Sequence, residues 1–315
     1  MQFVSRRAFV KGATCASVAS IATRSSFAKP ESPNTIGLGF SLYGMKSLAI
    51  EEALEKCAEI GYDCVELPVQ VGWPGDSIKL SLNQRKLISN QLEATGLRLS
   101  CLMENLHAVV DDTRHKSNLE RMKLAGELGH QLSPEKPPVV ETILGGRPAQ
   151  WDEIKLQIVD RLRDWAKVAE EVKTVVAIKA HVGGAMHRPE HPVWVAEQVN
   201  SPCIKCAYDY SHFELRDINM AESVKALVPN SVFIHVKDSR GDAKRVQFLL
   251  PGEGDIDYVK LLRLIKENGY TGDVIVEVSG QIHGKTGYDP IAAARKSYDN
   301  LAPTFNAAGI QRKPS

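Results

Sequence analysis

The stretch TVVAIKAHVGGAMHRPEHPVWVAEQVNSPCIKCAYDYSH, residues 174–212, decides the fold. Residues 175–178 form a short continuous apolar run, the pattern of a strand buried on both faces. PEHPVWVAEQV, residues 189–199, reads as a helix, and IKCAYDYSH, residues 204–212, as a second strand. A strand, a helix and a strand in this order make a parallel pair joined by a helical crossover. The polar residues gather at the strand ends. Lys179 and His181 stand two apart and so share a face, and Asp209 and His212 close the second run.

The same rhythm runs outward in both directions. Strands are predicted at 36–44, 62–69, 97–106, 137–146, 174–183, 204–212, 231–239 and 273–280. Helices are predicted at 48–61, 80–96, 118–129, 151–172, 189–199, 219–230, 257–269 and 289–305. Eight strand–helix units in one chain point to a single (β/α)8 TIM barrel, an α/β fold. The competing architecture, an open doubly wound sheet, is disfavoured because no Gly-x-Gly-x-x-Gly follows a strand. No linker or low-complexity segment divides the chain.

Composition excludes several classes. The 315 residues are 43% hydrophobic and 24% charged, with a formal net charge of +1. A nearly neutral chain lacks the basic surface that nucleic acid demands. No mature segment is apolar for long enough to span a bilayer. The N-terminus, SRRAFVKG followed by small and apolar residues and then SSFAKP, reads as a twin-arginine export signal with cleavage after Ala28. Residues 1–28 are therefore set apart as a signal and residues 29–315 as the barrel. The expected location is periplasmic or otherwise extracytoplasmic, free of the membrane once the signal is removed. Beyond the signal lie five cysteines, an odd number. The Cys203-x-x-Cys206 pair has no second pair to complete a zinc site and reads as structural, although oxidation of the two is conceivable in that compartment.

In a barrel the active site forms at the C-terminal ends of the strands. Those ends carry Glu141 on the fourth strand, Lys179 and His181 on the fifth, Asp209 and His212 on the sixth, His235, Lys237 and Asp238 on the seventh, and Glu277 on the eighth. Lys237 is taken to need the twist of its strand end to join His235. Buried carboxylates repel unless a cation lies among them. Carboxylate and imidazole donors suit one divalent ion, Mn²⁺, Zn²⁺, Co²⁺, Fe²⁺ or Mg²⁺.

Three motifs, DYSH (209–212), FIHVKD (233–238) with LLPGEGDIDY (249–258), and GYTGDVIVEVS (269–279), resemble the sugar isomerase/epimerase superfamily with a xylose isomerase-like barrel. The resemblance implies a divalent metal on a keto sugar and proton transfer beside the carbonyl. It implies Asp209, His235 and Glu277 as metal ligands, with His212 beside the metal or on the substrate. Ketose 3-epimerases of this superfamily carry a glutamate on strand five, where this chain has Lys179, and an ammonium cannot ligate a metal. VVETILGG resembles the glutamate-bearing fourth strand of inosose dehydratases, which implies Glu141 as the remaining ligand.

On this reading Lys179, its pKa lowered by the neighbouring ion, serves as a base, and His181 protonates a departing oxygen. That favours a dehydratase or lyase acting by β-elimination. An isomerase or epimerase using the same site is the alternative, and a non-catalytic periplasmic sugar-binding protein is the reading outside catalysis. Apurinic endonucleases share the barrel, but SRGDAKRVQFLLPGEG lacks the additional histidines they need. Glu66, Glu104, Lys237, His187 and Trp73 are further candidates for contact with substrate, Trp73 by stacking on a sugar ring. Glu253 is expected to order its own turn. Relatives of this type assemble into dimers or tetramers, so a homo-oligomer is a possible state.

Overall fold

The computed structural model describes residues 35–313. The export-signal reading of residues 1–28 lies outside them. Eight parallel strands close into a barrel: β1 (Thr35–Ser41), β2 (Cys64–Pro68), β3 (Arg98–Met103), β4 (Val139–Ile143), β5 (Val176–Lys179), β6 (Ile204–Asp209), β7 (Ser231–Val236) and β10 (Asp273–Val276). The ring closes where β1 pairs with β10, Gly37 opposite Asp273 through Phe40 opposite Val276. An antiparallel hairpin, β8 (Asp238–Asp242) and β9 (Arg245–Leu249), stands above β7. A final short strand, β11 (Gln311–Arg312), adds to the start of β1.

The surrounding helices are α1 (Ile50–Ile60), α2 (Leu82–Thr95), α3 (Asp112–Leu132), α4 (Trp151–Glu171), α5 (Glu190–Val199), α7 (Met220–Leu227), α8 (Tyr258–Glu267) and α10 (Pro290–Ala307), with two short ones, α6 (Tyr210–Glu214) and α9 (Gly280–His283). Local chemistry sets their ends. Ser81 and Gln84 form a reciprocal capping box at the start of α2. Gly61, at φ 106°, stops α1 in a conformation that side chains avoid. In α8, Leu261, Leu262 and Ile265 face the barrel. Each such buried side chain is worth about 1.5–3 kcal/mol of transfer free energy. None of the described helices is long and apolar enough to cross a membrane.

The barrel interior is layered, and the layers explain the site. Cys64, Cys101, Ala177, Ala207, Phe233 and Ile275 form one buried apolar cluster, with Val139 packed against it. Gly39 completes this level because a Cβ there would lie 2.3 Å from Ile275 Cδ1. Side chains alternate along a strand, so two residues further on the same inward face returns. That step converts Cys64 to Glu66, Val139 to Glu141, Ala177 to Lys179, Ala207 to Asp209, Phe233 to His235 and Ile275 to Glu277. An apolar floor thus carries a charged layer directly above it.

The strands are shorter than predicted, and two of the shifted boundaries bear on the site. The sixth strand ends at Asp209, and His212 belongs to α6. Asp209 caps that helix, its Oδ1 accepting from the Ser211 N–H at 3.2 Å. The seventh strand ends at Val236 rather than running on to Ser239, because the chain turns into the hairpin. Asp238 then accepts from the N–H groups of Gly252, Gly254 and Ile256, and ties the PGEG turn to the hairpin. Glu253 accepts from the Leu250 N–H at 3.0 Å, the local role expected for it.

Candidate active site

The charged layer converges on one carboxylate oxygen and one imidazole. Glu277 Oε2 lies 3.2 Å from Lys179 Nζ, 2.8 Å from Lys237 Nζ and 3.3 Å from His235 Nδ1. His235 Nδ1 is 2.7 Å from Lys179 Nζ, and His235 Nε2 is 3.0 Å from Glu66 Oε2. An ammonium has only protons to give. His235 Nδ1 must therefore accept, and Nε2–H donates to Glu66. The register sets Asp209 beside His235. Asp209 spends Oδ1 on the Ser211 hydroxyl and turns Oδ2 to Lys237. His212 Nε2 sits 3.5 Å from the same ammonium.

Glu66, expected at the substrate, is instead fully buried within the layer as the carboxylate partner of His235. Lys237 needs no strand twist to join it. Standing two residues after His235, it falls on the same inward face, and the expectation of an outward direction is corrected.

The electrostatics follow from this crowding. Burial alone would lower the Lys179 pKa, but Glu141, Glu277, Asp209 and Glu66 outweigh it and hold the ammonium charged. This corrects the expectation of Lys179 as a base with a lowered pKa: its neighbours are carboxylates, and they stabilise the cation. Burial works against the charge of Glu277 too, yet the Lys179 and Lys237 ammonium groups keep its pKa well below the ordinary value. Burial raises Glu141, with Lys179 opposing. His181 is pushed down to about 4 by burial and then by Lys179 and Lys237, so it is neutral at ordinary pH. Its ring lies 4.3 Å from that of His212.

The mouth has walls that the sequence only partly announced. Trp73 stacks on Tyr43 at 4.4 Å, and His283 meets Tyr43 edge-on at 4.7 Å. Tyr43 feels the charge of Glu277, which places this aromatic patch beside the charged layer. Phe248 of the hairpin packs against His212 and lies 5.1 Å from the Lys237 ammonium. A cavity of about 210 Å³ opens along Lys179, His181, His107 and Gly145. The larger cavity, about 570 Å³, lies at the other end of the barrel around Arg98 and Asp273, away from this chemistry. Tyr43, His283 and Phe248 were missed for local reasons: Tyr43 lies in a 3₁₀ turn where the first strand was predicted to run on, His283 ends the short α9, and Phe248 belongs to the hairpin.

Two predicted substrate contacts are engaged elsewhere. Both oxygens of Glu104 accept from Arg121, at 3.0 and 2.7 Å, and the same guanidinium faces Asp76 at 3.4 Å. Glu104 therefore braces the β3 end rather than reaching for a ligand. His187 Nδ1 bonds the Ala185 carbonyl oxygen at 2.8 Å, and its ring packs edge-on against His191. His191 in turn stacks on Trp151 at 3.8 Å. Cys203 and Cys206 are both free thiols.

Burial pushes His191 down to about 4, with His187 adding to the effect. A histidine whose folded pKa is depressed stabilises the fold above its unfolded pKa of about 6.5 and gives that stability up as pH falls toward the folded value. The urea midpoint is expected to be level near neutrality and to fall between pH 6.5 and about 4, and less steeply in His191→Gln. A midpoint unchanged across that range would count against a buried neutral imidazole.

Asp209, His235 and Glu277 offer ligand atoms within 4.8 Å of one another, and so do Glu66, Glu141 and His235. In kind these are the donors of a divalent-metal centre. In arrangement they do not suit one while both lysines are in place. A +2 ion and a +1 ammonium about 3 Å apart repel by roughly 10 kcal/mol at an effective dielectric near 20. An ion here requires one lysine to be gone and leaves the other to swing away from the donors. Glu141, the expected fourth ligand, contacts Lys179 at 3.1 Å instead.

Residues 54–303 match the family model of the xylose isomerase-like TIM barrel. The chain is 25% identical over 274 residues to L-ribulose-5-phosphate 3-epimerase UlaE of Escherichia coli (strain K12), a match covering 82% of this chain and 91% of that one. Among solved structures, the IOLI protein with a bound zinc atom superposes with a TM-score of 0.71 at 20% identity, covering 86% of this chain and 99% of that one. The apo 3-keto-D-glucoside 4-epimerase YcjR from E. coli gives 0.67 at 17% identity, covering 85% and 100%.

Proposed function

Because this chain belongs to the xylose isomerase-like TIM-barrel family, we propose that it is a carbohydrate epimerase or isomerase that moves a proton beside a keto group. The observation that carries the reading is Glu277. It is the member of the charged layer that stays partly open to the mouth, and its ionised Oε2 is set against two ammonium groups. The carboxylate takes the proton from the carbon next to the carbonyl. The C–H electron pair becomes the new C=C bond, and the carbonyl π pair moves to oxygen as an enediolate. Nearby cations stabilise that oxygen. Return of a proton to the same carbon from the opposite face gives the epimer, and return to the neighbouring carbon gives the isomer. The neutral imidazoles of His181 and His212 are placed to shuttle that proton. The patch of Tyr43, Trp73 and His283 supports a sugar face.

The lyase reading favoured from the sequence gives way here. The curated relatives similar along most of the chain are epimerases, and the Lys179 base on which elimination relied is held protonated. A divalent ion is the cofactor that these carboxylate and imidazole donors suit in kind, whereas the lysines are this chain's own cations. Residues 1–28 are proposed to direct twin-arginine export, so that a fractionated producing cell carries the processed chain outside the cytoplasm.

Incubating the protein in D₂O with L-ribulose, L-ribulose 5-phosphate or a 3-keto-glucoside tests the activity. Proton NMR is expected to show loss of the α-proton signal together with a second sugar. Formation of an enone or release of an alcohol with no second sugar would restore the lyase instead.

A further inference from the structure

We propose that the ammonium groups of Lys179 and Lys237 take the cation position of this centre, so that the chain polarises its substrate with lysine in place of a bound ion. This rests on the epimerase reading for its chemistry but not for its geometry.

The geometry is a carboxylate–imidazole–cation relay. In a metal centre the imidazole gives one nitrogen to the ion and its other N–H to a carboxylate. Here Glu66 holds the Nε2–H of His235, and the cation on Nδ1 is Lys179 Nζ, at 2.7 Å. That one nitrogen also stands 3.1 Å from Glu141 Oε1 and 3.2 Å from Glu277 Oε2, so it donates toward acceptors at the ends of three strands. Lys237 covers what remains, Asp209 Oδ2 and the same Glu277 oxygen. Every residue of the Asp209, His235 and Glu277 set thus has an ammonium on it.

Charge and position agree. Two ammonium groups bring the same +2 that one divalent ion would bring. Both lysines are nearly fully buried, 3% and 2% exposed. Lys179 is aimed inward by the alternation of β5, and Lys237 by its place two residues after His235. An ammonium keeps protons to give. A keto oxygen entering from the mouth takes one of these N–H groups in exchange for a present partner as charge develops there.

The full chain is loaded with Mn²⁺ and, separately, with Zn²⁺, freed of unbound ion and assayed for metal by mass spectrometry. A calorimetric titration and a thermal scan with and without EDTA accompany it. Wild type is expected to retain far less than one ion per chain and to melt at the same temperature with chelator present. Lys179→Glu, which replaces a cation by a ligand, is expected to take up about one ion per chain. Lys237→Met, less drastic for folding, is expected to gain measurable heat of binding. One ion per chain in wild type overturns the proposal. So does a wild type without metal whose folded variants gain none, because the lysines would then not be what excludes it. None of these readouts involves turnover, so failure of the epimerase reading in the NMR experiment remains a separate result.

Discussion

Glu277→Gln is expected to lower α-proton exchange by about a thousand-fold, within the range for loss of a positioned acid–base group, while circular dichroism stays that of wild type. Three groups converge on Glu277 Oε2: Lys179, Lys237 and His235. Glutamine has the same shape, and its amide oxygen can still accept from an ammonium, so the fold has little reason to change. What is lost is the negative charge and the capacity to take a proton. The loss belongs in kcat, because the charge matters when the proton moves. A variant with unchanged kcat and only a raised KM would show Glu277 to be a binding group, and the proton-transfer role would fall.

Arg121→Met is expected to destabilise the fold by about 3–5 kcal/mol, the range for removing one partner of a buried ion pair. Arg121, Glu104 and Asp76 are 7%, 1% and 2% exposed. The guanidinium donates to both Glu104 oxygens and also to the Val69 carbonyl oxygen at 2.8 Å. Methionine fills much of the volume and leaves two carboxylates buried without a cation. The melting temperature is expected to fall by roughly 10 °C, at about 2–4 °C per kcal/mol for a chain somewhat smaller than this one. Adding Glu104→Gln and Asp76→Asn to Arg121→Met removes the unpaired charges and is expected to recover much of the loss. A single variant as stable as wild type would mean that water reaches this triad.

Some of this was legible in the chain as written. Apolar runs alternating with amphipathic stretches determined eight strand–helix units, and Asp209, His235 and Glu277 were visible at the strand ends because the reading depends only on local periodicity. His212 was misplaced by a local effect: a side-chain cap on Asp209 starts a helix where the apolar pattern runs on. The hairpin after Val236 was likewise hidden, because residues 238–249 alternate too weakly to declare themselves.

What only the tertiary structure decided is who faces whom. Barrel closure brings β2 and β7, far apart in sequence, across one interior, and so makes Glu66 the partner of His235 rather than a sugar contact. It puts Arg121 on Glu104, a pairing between a strand end and a helix that no spacing encodes. It also surrounds Lys179 with carboxylates, which reverses the direction of its pKa shift. The physical reason is common to all three. Strand and helix are set by neighbours in sequence, but the charge state and partner of a buried group are set by the groups that closure packs within a few ångströms of it.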